Sequence, residues 1–292
     1  ANHRPFVDRW TRRLIGEDLG PRGFRFARRL FIRAVGLLFL IAFISFGCQW
    51  SGLLGTEGIL PAAERWAHLT NQAGTGITDH PAIFWLFEPT DAVLTATWIA
   101  GAAVGLIAAI GWVPIPALVI GWALYLSLVT VGGPFFSFQW DALLLETALV
   151  AVLMSPWCWS LNGSAGERRV SRAALAVGWW LAFRLYFMSG VVKLLSGDPV
   201  WHNLTALEYH FWTQPLPTWT AYYAAGLPDL LLSALTLGMF VIELIVPFLL
   251  FAPRKIRHPA VAVYGTLQLG ILATGNYGFF NLLALALCIP ML

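Results

Sequence analysis

Charge is what this chain has least of. Only 11% of its 292 residues are Asp, Glu, Lys or Arg, while 58% are hydrophobic. A soluble domain carries about 25% charged residues, so a mostly wet surface is excluded. The mean hydropathy of +0.70 agrees. Cysteine is scarce as well. Cys48, Cys158 and Cys288 lie far apart, in or near apolar runs and toward different faces. They match neither a disulfide framework nor a metal-site spacing. None of the six histidines, His3, His68, His80, His202, His210 and His258, falls well inside an apolar run. A bundle that holds haem or a chlorin normally supplies an axial histidine there, so no such cofactor is expected. Walker loops, dinucleotide fingerprints, nucleophile elbows and zincin helices are missing too.

What the chain does have is apolar runs of about 20 residues, the length that crosses a bilayer as a helix. They fall at 30–50, 92–111, 114–132, 141–158, 173–195, 230–252, 259–274 and 279–292. The expected fold is therefore all-α: a polytopic membrane bundle of about eight spans. Fifteen tryptophans suit the aromatic belts of such a bundle. Within GAAVG, Gly101 and Gly105 form a GxxxG, which lets two helices approach closely in lipid.

The basic residues set the orientation. Nine arginines precede or open the first run: Arg4, Arg9, Arg12, Arg13, Arg22, Arg25, Arg28, Arg29 and Arg33. Arg168, Arg169 and Arg172 follow the fourth run, and Arg254, Lys255 and Arg257 follow the sixth. A single alternating topology puts fifteen of the eighteen basic residues on one face, which makes that face and the N-terminus cytoplasmic. The net charge of +3 is thus a topology signal, and no nucleic acid is expected. Residues 1–29 read as a basic amphipathic segment on the cytoplasmic membrane surface, and 30–292 as the transmembrane domain. No cleavable signal peptide is visible, and the absence of an initial Met suggests a start further upstream. Short loops and abundant arginine suggest a bacterial inner membrane.

Two long segments lie on the opposite, acidic face, 51–91 and 196–229. Both are rich in Pro, Gly and Trp, and both are expected to fold against the membrane. Three polar strings face the same way: FSFQWD (136–141), LSGDPVWHNLTALEYHFWTQPLP (195–217) and TGNYGFFN (274–281). They offer Gln139, Asp198, His202, His210, Asn276 and Asn281 as a surface for a partner. NLTALEYH suits a short interfacial helix with Trp201, Tyr209 and Trp212 toward lipid. Asp198, His202, Glu208 and His210 are the only conceivable metal ligands, and their spacing fits no established pattern, so no metal is expected.

Charges inside the runs are the costly feature. Asp141 and Glu146 open the fourth run, Arg184 and Lys193 sit in the fifth, and Glu243 in the sixth. Counted from the outer end at about 1.5 Å per residue, Lys193 lies roughly 6 Å down and Glu146 roughly 8 Å down, while Glu243 is roughly 20 Å from its own outer end. These depths predict two ion pairs: Lys193 with Glu146 or Asp141, and Arg184 with Glu243. At 100° per residue Arg184 and Lys193 point to opposite sides, with Tyr186, Ser189 and Gly190 on the Lys193 side. The fifth run is then the hub of the bundle. A partly desolvated Lys193 near Tyr186 is also the one plausible general base. Adjacent carboxylates oppose that role by favouring the ammonium form.

The strings FSFQWDALLLET, FRLYFMSGVVKLLSGDPVWHNLTALEYHFWTQPLP and LQLGILATGNYGFFNLLALAL resemble the lipase maturation factor family, over roughly residues 30–292. The resemblance implies a multi-span membrane protein whose animal relatives work in the endoplasmic reticulum, helping secreted lipases fold and assemble into active dimers. The family is distantly similar to the membrane region of vitamin K-dependent carboxylases, which use a lysine base. Its members usually continue past the last span into a soluble region, whereas this chain ends at Leu292. Three functions follow as expectations. The first is a chaperone-like membrane protein that assists an exported client at the outer face. The second is an accessory subunit among neighbouring membrane subunits. The third is an intramembrane enzyme acting on a lipid-like substrate through Lys193 and Tyr186.

Overall fold

A computed structural model of the chain describes residues 24–72, 74–162 and 169–292. Most of the proposed surface segment 1–29 lies outside these residues. Among the described residues there are helices and turns, and the only β-type pairing is an isolated bridge between Trp112 and Ser160. Eight helices fall on the eight apolar runs: α1 (Arg25–Gly47), α2 (Asp91–Ile110), α3 (Pro114–Gly132), α4 (Gln139–Met154), α5 (Arg172–Leu195), α6 (Asp229–Leu244), α7 (Arg254–Thr274) and α8 (Phe280–Cys288).

Five of these stretches are long and apolar enough to cross a membrane: Arg25–Gly47, Asp91–Ile110, Pro114–Phe136, Arg172–Leu195 and Asp229–Phe251. This is a polytopic helical membrane protein. The eight-span count is looser than the fold. α4 has 16 residues, about 24 Å of rise, and α8 with its final 3-10 turn (Phe280–Met291) is shorter still. α7 has the length, but it opens on Arg254, Lys255, Arg257 and His258.

The chain divides into two compact units, 28–174 and 175–292, the second including 24–27. In the first unit, local chemistry starts and stops the helices. Thr90 caps α2 by accepting from the Val93 amide, and Asp91 occupies its first turn, where a negative charge suits the helix dipole. Gly111, at φ +83°, ends the helix in the left-handed conformation that glycine adopts freely. Pro114 then opens α3, where a missing amide hydrogen costs nothing.

Small residues bring α1 and α2 together. A Cβ on Gly36 would sit 2.4 Å from the Ala109 nitrogen, and one on Gly105 would sit 2.7 Å from the Leu40 nitrogen. At Gly101 the added carbon would strike the Phe43 ring at 2.4 Å. The GxxxG is therefore a packing seam. The segment before α2 is folded, with Leu54, Trp66 and Phe84 buried. Two α3 hydroxyls strap it down: Ser127 Oγ accepts from the Ile83 amide at 2.9 Å, and Thr130 Oγ donates to the Pro81 carbonyl at 3.0 Å.

The second unit holds α5 to α8 and three short helices, Pro199–His202, Ala206–Thr213 and Trp219–Ala225. α7 packs along α8, and Ala206–Thr213 packs against both Trp219–Ala225 and α6. At the far end, the Arg257 guanidinium lies 4.4 Å from the Trp179 ring centre and donates to the Met291 carbonyl at 2.8 Å. Trp179 Nε1 donates to the Pro290 carbonyl at 3.1 Å, so the last turn of the chain is pinned twice.

Candidate functional site

The polar groups of the second unit are joined rather than scattered. Lys193 Nζ donates to both carboxylate oxygens of Glu243, at 2.6 Å each. Glycine makes this approach possible, since a Cβ on Gly190 would come within 2.7 Å of Leu244 and 3.1 Å of the Glu243 Cβ. Glu243 is buried, and the Lys193 ammonium is covered from one side by the Trp201 ring, 5.7 Å away. Trp201 in turn meets Phe240 edge-on at 6.1 Å. Trp201 therefore turns inward, whereas the sequence suggests a lipid-facing residue.

The observed pair is not one of the two expected. Lys193 bonds Glu243, the carboxylate that the depths assign to Arg184, and Arg184 lies on the exposed side of α5. The depth estimate fails because it starts every helix at one plane. Glu243 lies fourteen residues into α6, about 21 Å from its start, while Lys193 is two residues from the end of α5. The two meet because α6 starts well beyond the end of α5, with its first half packed on the short helices. The predicted facing of α5 agrees with the structure: Tyr186, Gly190 and Lys193 share the inner side.

Deeper in the unit, Tyr186 and Tyr264 stack with ring centres 3.7 Å apart. The Tyr186 hydroxyl lies 3.6 Å from Cys288 Sγ, and the Tyr264 hydroxyl donates to the Ile242 carbonyl at 3.4 Å. Asn281 is fully buried and donates from Nδ2 to Gln268 Oε1 at 2.8 Å. It is not the surface residue that its string suggests. It falls in the first turn of α8, which turns it toward α7.

Two of the polar strings do meet. The His210 ring and the Tyr277 hydroxyl are 3.0 Å apart, Gln214 Nε2 donates to the Thr274 carbonyl, and Thr218 donates to the Ala273 carbonyl. Burial pushes the His210 pKa down, and the nearby Lys193 charge pushes it the same way. Burial raises the Tyr277 pKa. Asn276 is exposed within this junction, Asp198 and His202 are exposed on the turn and short helix that precede it in the chain, and Asp198 caps Pro199–His202 by accepting from the Val200 amide at 3.1 Å.

Gln139 and Asp141 belong to the other unit. Gln139 is exposed. Asp141 is buried and accepts from the Tyr125 hydroxyl at 2.6 Å and from the Phe138 amide at 3.3 Å. Its expected cation is replaced by a phenol. Glu146 is half-buried on α4. Among the described residues no cluster of His, Cys, Asp and Glu could hold a metal.

Sequence reasoning missed Tyr125, Tyr264, Gln214 and Cys288. A tyrosine in an apolar run reads as core filling, and only its hydroxyl, which needs a partner when buried, hints at more.

The family profile described as the lipase maturation factor transmembrane domain matches residues 26–292. This chain belongs to the lipase maturation factor family. It is 40% identical over 285 residues to human lipase maturation factor 2, covering 92% of this chain and 40% of that protein. The Xenopus laevis lipase maturation factor 2 is 39% identical over 280 residues, with 92% and 39% covered. Mouse lipase maturation factor 1 is 32% identical over 273 residues, with 90% and 47% covered. The chain therefore spans about two fifths of the length of the lipase maturation factor 2 proteins it matches. No solved structure matches it.

Proposed function

We propose that this family member assists the folding or assembly of an exported protein, with a lipase as the first client to test. The observation that carries the proposal is its 40% identity to a lipase maturation factor across 92% of the chain. The client-facing surface of this reading is the junction of 198–202 and 210 with 274–277. There, exposed polar side chains stand on a framework fixed by His210–Tyr277 and Gln214–Thr274. The alternating distribution of basic residues supports a cytoplasmic N-terminus with this junction on the opposite face. The vertebrate relatives named above give no support to a bacterial inner membrane, and the same surface would face a lumen in an internal membrane.

The enzyme reading loses ground on geometry. A general base needs a free lone pair and room for a substrate proton, and Lys193 Nζ is already engaged by both oxygens of Glu243.

Co-expression with a secreted lipase tests the proposal, with specific activity of the secreted enzyme as the readout. The chain should raise that activity. The exposed-site variant His202→Ala/Asn276→Ala, expressed to the same level, should lower the gain. Equal lipase activity with and without the chain would overturn the reading.

A further inference from the structure

The helical pair Ala206–Thr213 and Trp219–Ala225 has one side that packs and one that does not. Phe211 and Ala221 join Leu232 of α6 in a small core, with Leu207, Ala224, Ala225 and Leu227 against it. The other side exposes Trp212, Leu216, Trp219, Tyr222 and Tyr223, each at 61–77%. These aromatics form a continuous sheet: Trp212 meets Tyr222, Tyr222 meets Tyr223, and Tyr223 meets Trp219, all edge-on with ring centres 5.6–6.2 Å apart. Between Phe211 and Pro228 the sequence has no charged residue and no histidine. Leu216, between two prolines, is held at φ +48°, a strained backbone for leucine that projects its side chain outward.

Such a face in water would be an aggregation liability. Its neighbour says what covers it. α6 begins four residues after Trp219–Ala225 ends, and it leaves Leu230, Leu231, Leu235 and Leu237 exposed along the first half of an apolar span, with Val241 exposed just beyond. Those leucines require lipid up to the first turn of α6, and the pair packs on that same half. The aromatic face is therefore continuous with the lipid-facing side of a membrane span. Its tryptophans and tyrosines are the residues that settle at the headgroup level, with apolar rings and one polar atom each.

We propose that residues 206–225 form an in-plane anchor, seated in the interface of the leaflet that holds the start of α6. The Lys193–Glu243 bond then lies below that interface, about 21 Å along α6 from its first residue. Its one formally charged residue, Glu208, is an anion, so its seating depends on apolar contact and not on anionic lipid.

Nitroxide accessibility in phosphatidylcholine proteoliposomes tests this. Single labels at Trp219, Tyr222 and Leu216 are compared with Val241 as the lipid reference and Asn71 as the water reference, in a background of Cys48→Ser and Cys158→Ser. The oxygen-to-nickel accessibility ratio at the three anchor positions should fall between the two references. It should be unchanged when a third of the lipid is replaced by phosphatidylglycerol. A ratio equal to that at Asn71 overturns the proposal, because the face is then in water. Exclusion of both reagents also overturns it, because protein then covers the face. Should labelling disturb the pair, the variant Trp212→Phe/Trp219→Phe gives a second route: it should lose tryptophan quenching by shallowly brominated lipid, and undiminished quenching counts against the anchor.

Discussion

The two units bury polar groups by different means. In 28–174 the Tyr125 hydroxyl makes a short bond to the buried Asp141 inside an aromatic cage, with Phe39, Phe43 and Phe136 at 5.6–6.2 Å from the Tyr125 ring. The helices around it are drawn together by shape, through Gly36, Gly101 and Gly105. In 175–292 a full ion pair, an amide pair and a tyrosine stack run through the core. Lipid offers helices no hydrophobic reason to associate, so packing and polar pairing have to do it. One unit leans on the first and the other on the second. Polar pairing is costly when broken but can be exchanged as a unit, whereas a glycine seam tolerates no added volume.

The largest effect should come from breaking the ion pair on one side. Lys193→Met leaves a buried Glu243 without its cation, which costs about 3 kcal/mol and lowers the thermal midpoint in mild detergent. The double variant Lys193→Met/Glu243→Leu should recover most of that loss. If the double variant is as unstable as the single, the polar-pairing account of this unit is wrong.

On the other side, Gly105→Leu forces a side chain against the α1 backbone at a point where even a Cβ comes within 2.7 Å. Overpacking of this kind costs about 1–3 kcal/mol, read by the same melting experiment. No second substitution on α2 should rescue it, because the obstacle is backbone. A silent Gly105→Leu would remove the contrast between the units.

The sequence makes the helices plain and the pairing between them obscure. Eight apolar runs mark eight helices, because a backbone in lipid has to satisfy its own hydrogen bonds. The inner side of α5 is legible too, since 100° per residue is fixed by geometry. Partner choice is not, because it depends on how far each helix slides along its neighbour. The stagger between α5 and α6 decides that Lys193 meets Glu243. Likewise TGNYGFFN reads as one polar loop, yet the helix starts inside it, which exposes Asn276 and buries Asn281. The Tyr125–Asp141 bond leaves no trace at all, since a tyrosine among leucines looks like filling.

That bond gives the next prediction in size. Tyr125→Phe keeps the ring and the cage but takes the donor from a buried carboxyl, which costs about 1–2 kcal/mol. The loss should fall on the first unit alone. Hydrogen exchange of α3 and α4 amides should quicken while that of α7 and α8 does not, and a uniform change would mean that the two units do not melt separately.

The smallest effect is a pH dependence confined to the second unit. Burial and the Lys193 charge both hold the His210 pKa below its ordinary value of 6.5 in the folded chain. The unfolded chain therefore takes up a proton first as the pH falls. The stability that His210 supports is complete above pH 6.5 and is lost as the pH drops from there through the lowered folded value, below which it levels off. The groups facing the ring are the Tyr277 hydroxyl, whose pKa burial raises, and the Lys193 charge. Melting midpoints between pH 8 and pH 5 should fall for the wild-type chain and fall less for His210→Phe. Equal slopes would place the sensitivity elsewhere. A wild-type midpoint that rises on acidification would mean that the folded chain takes up the proton more readily than the unfolded one, the reverse of what a buried imidazole beside an ammonium can do.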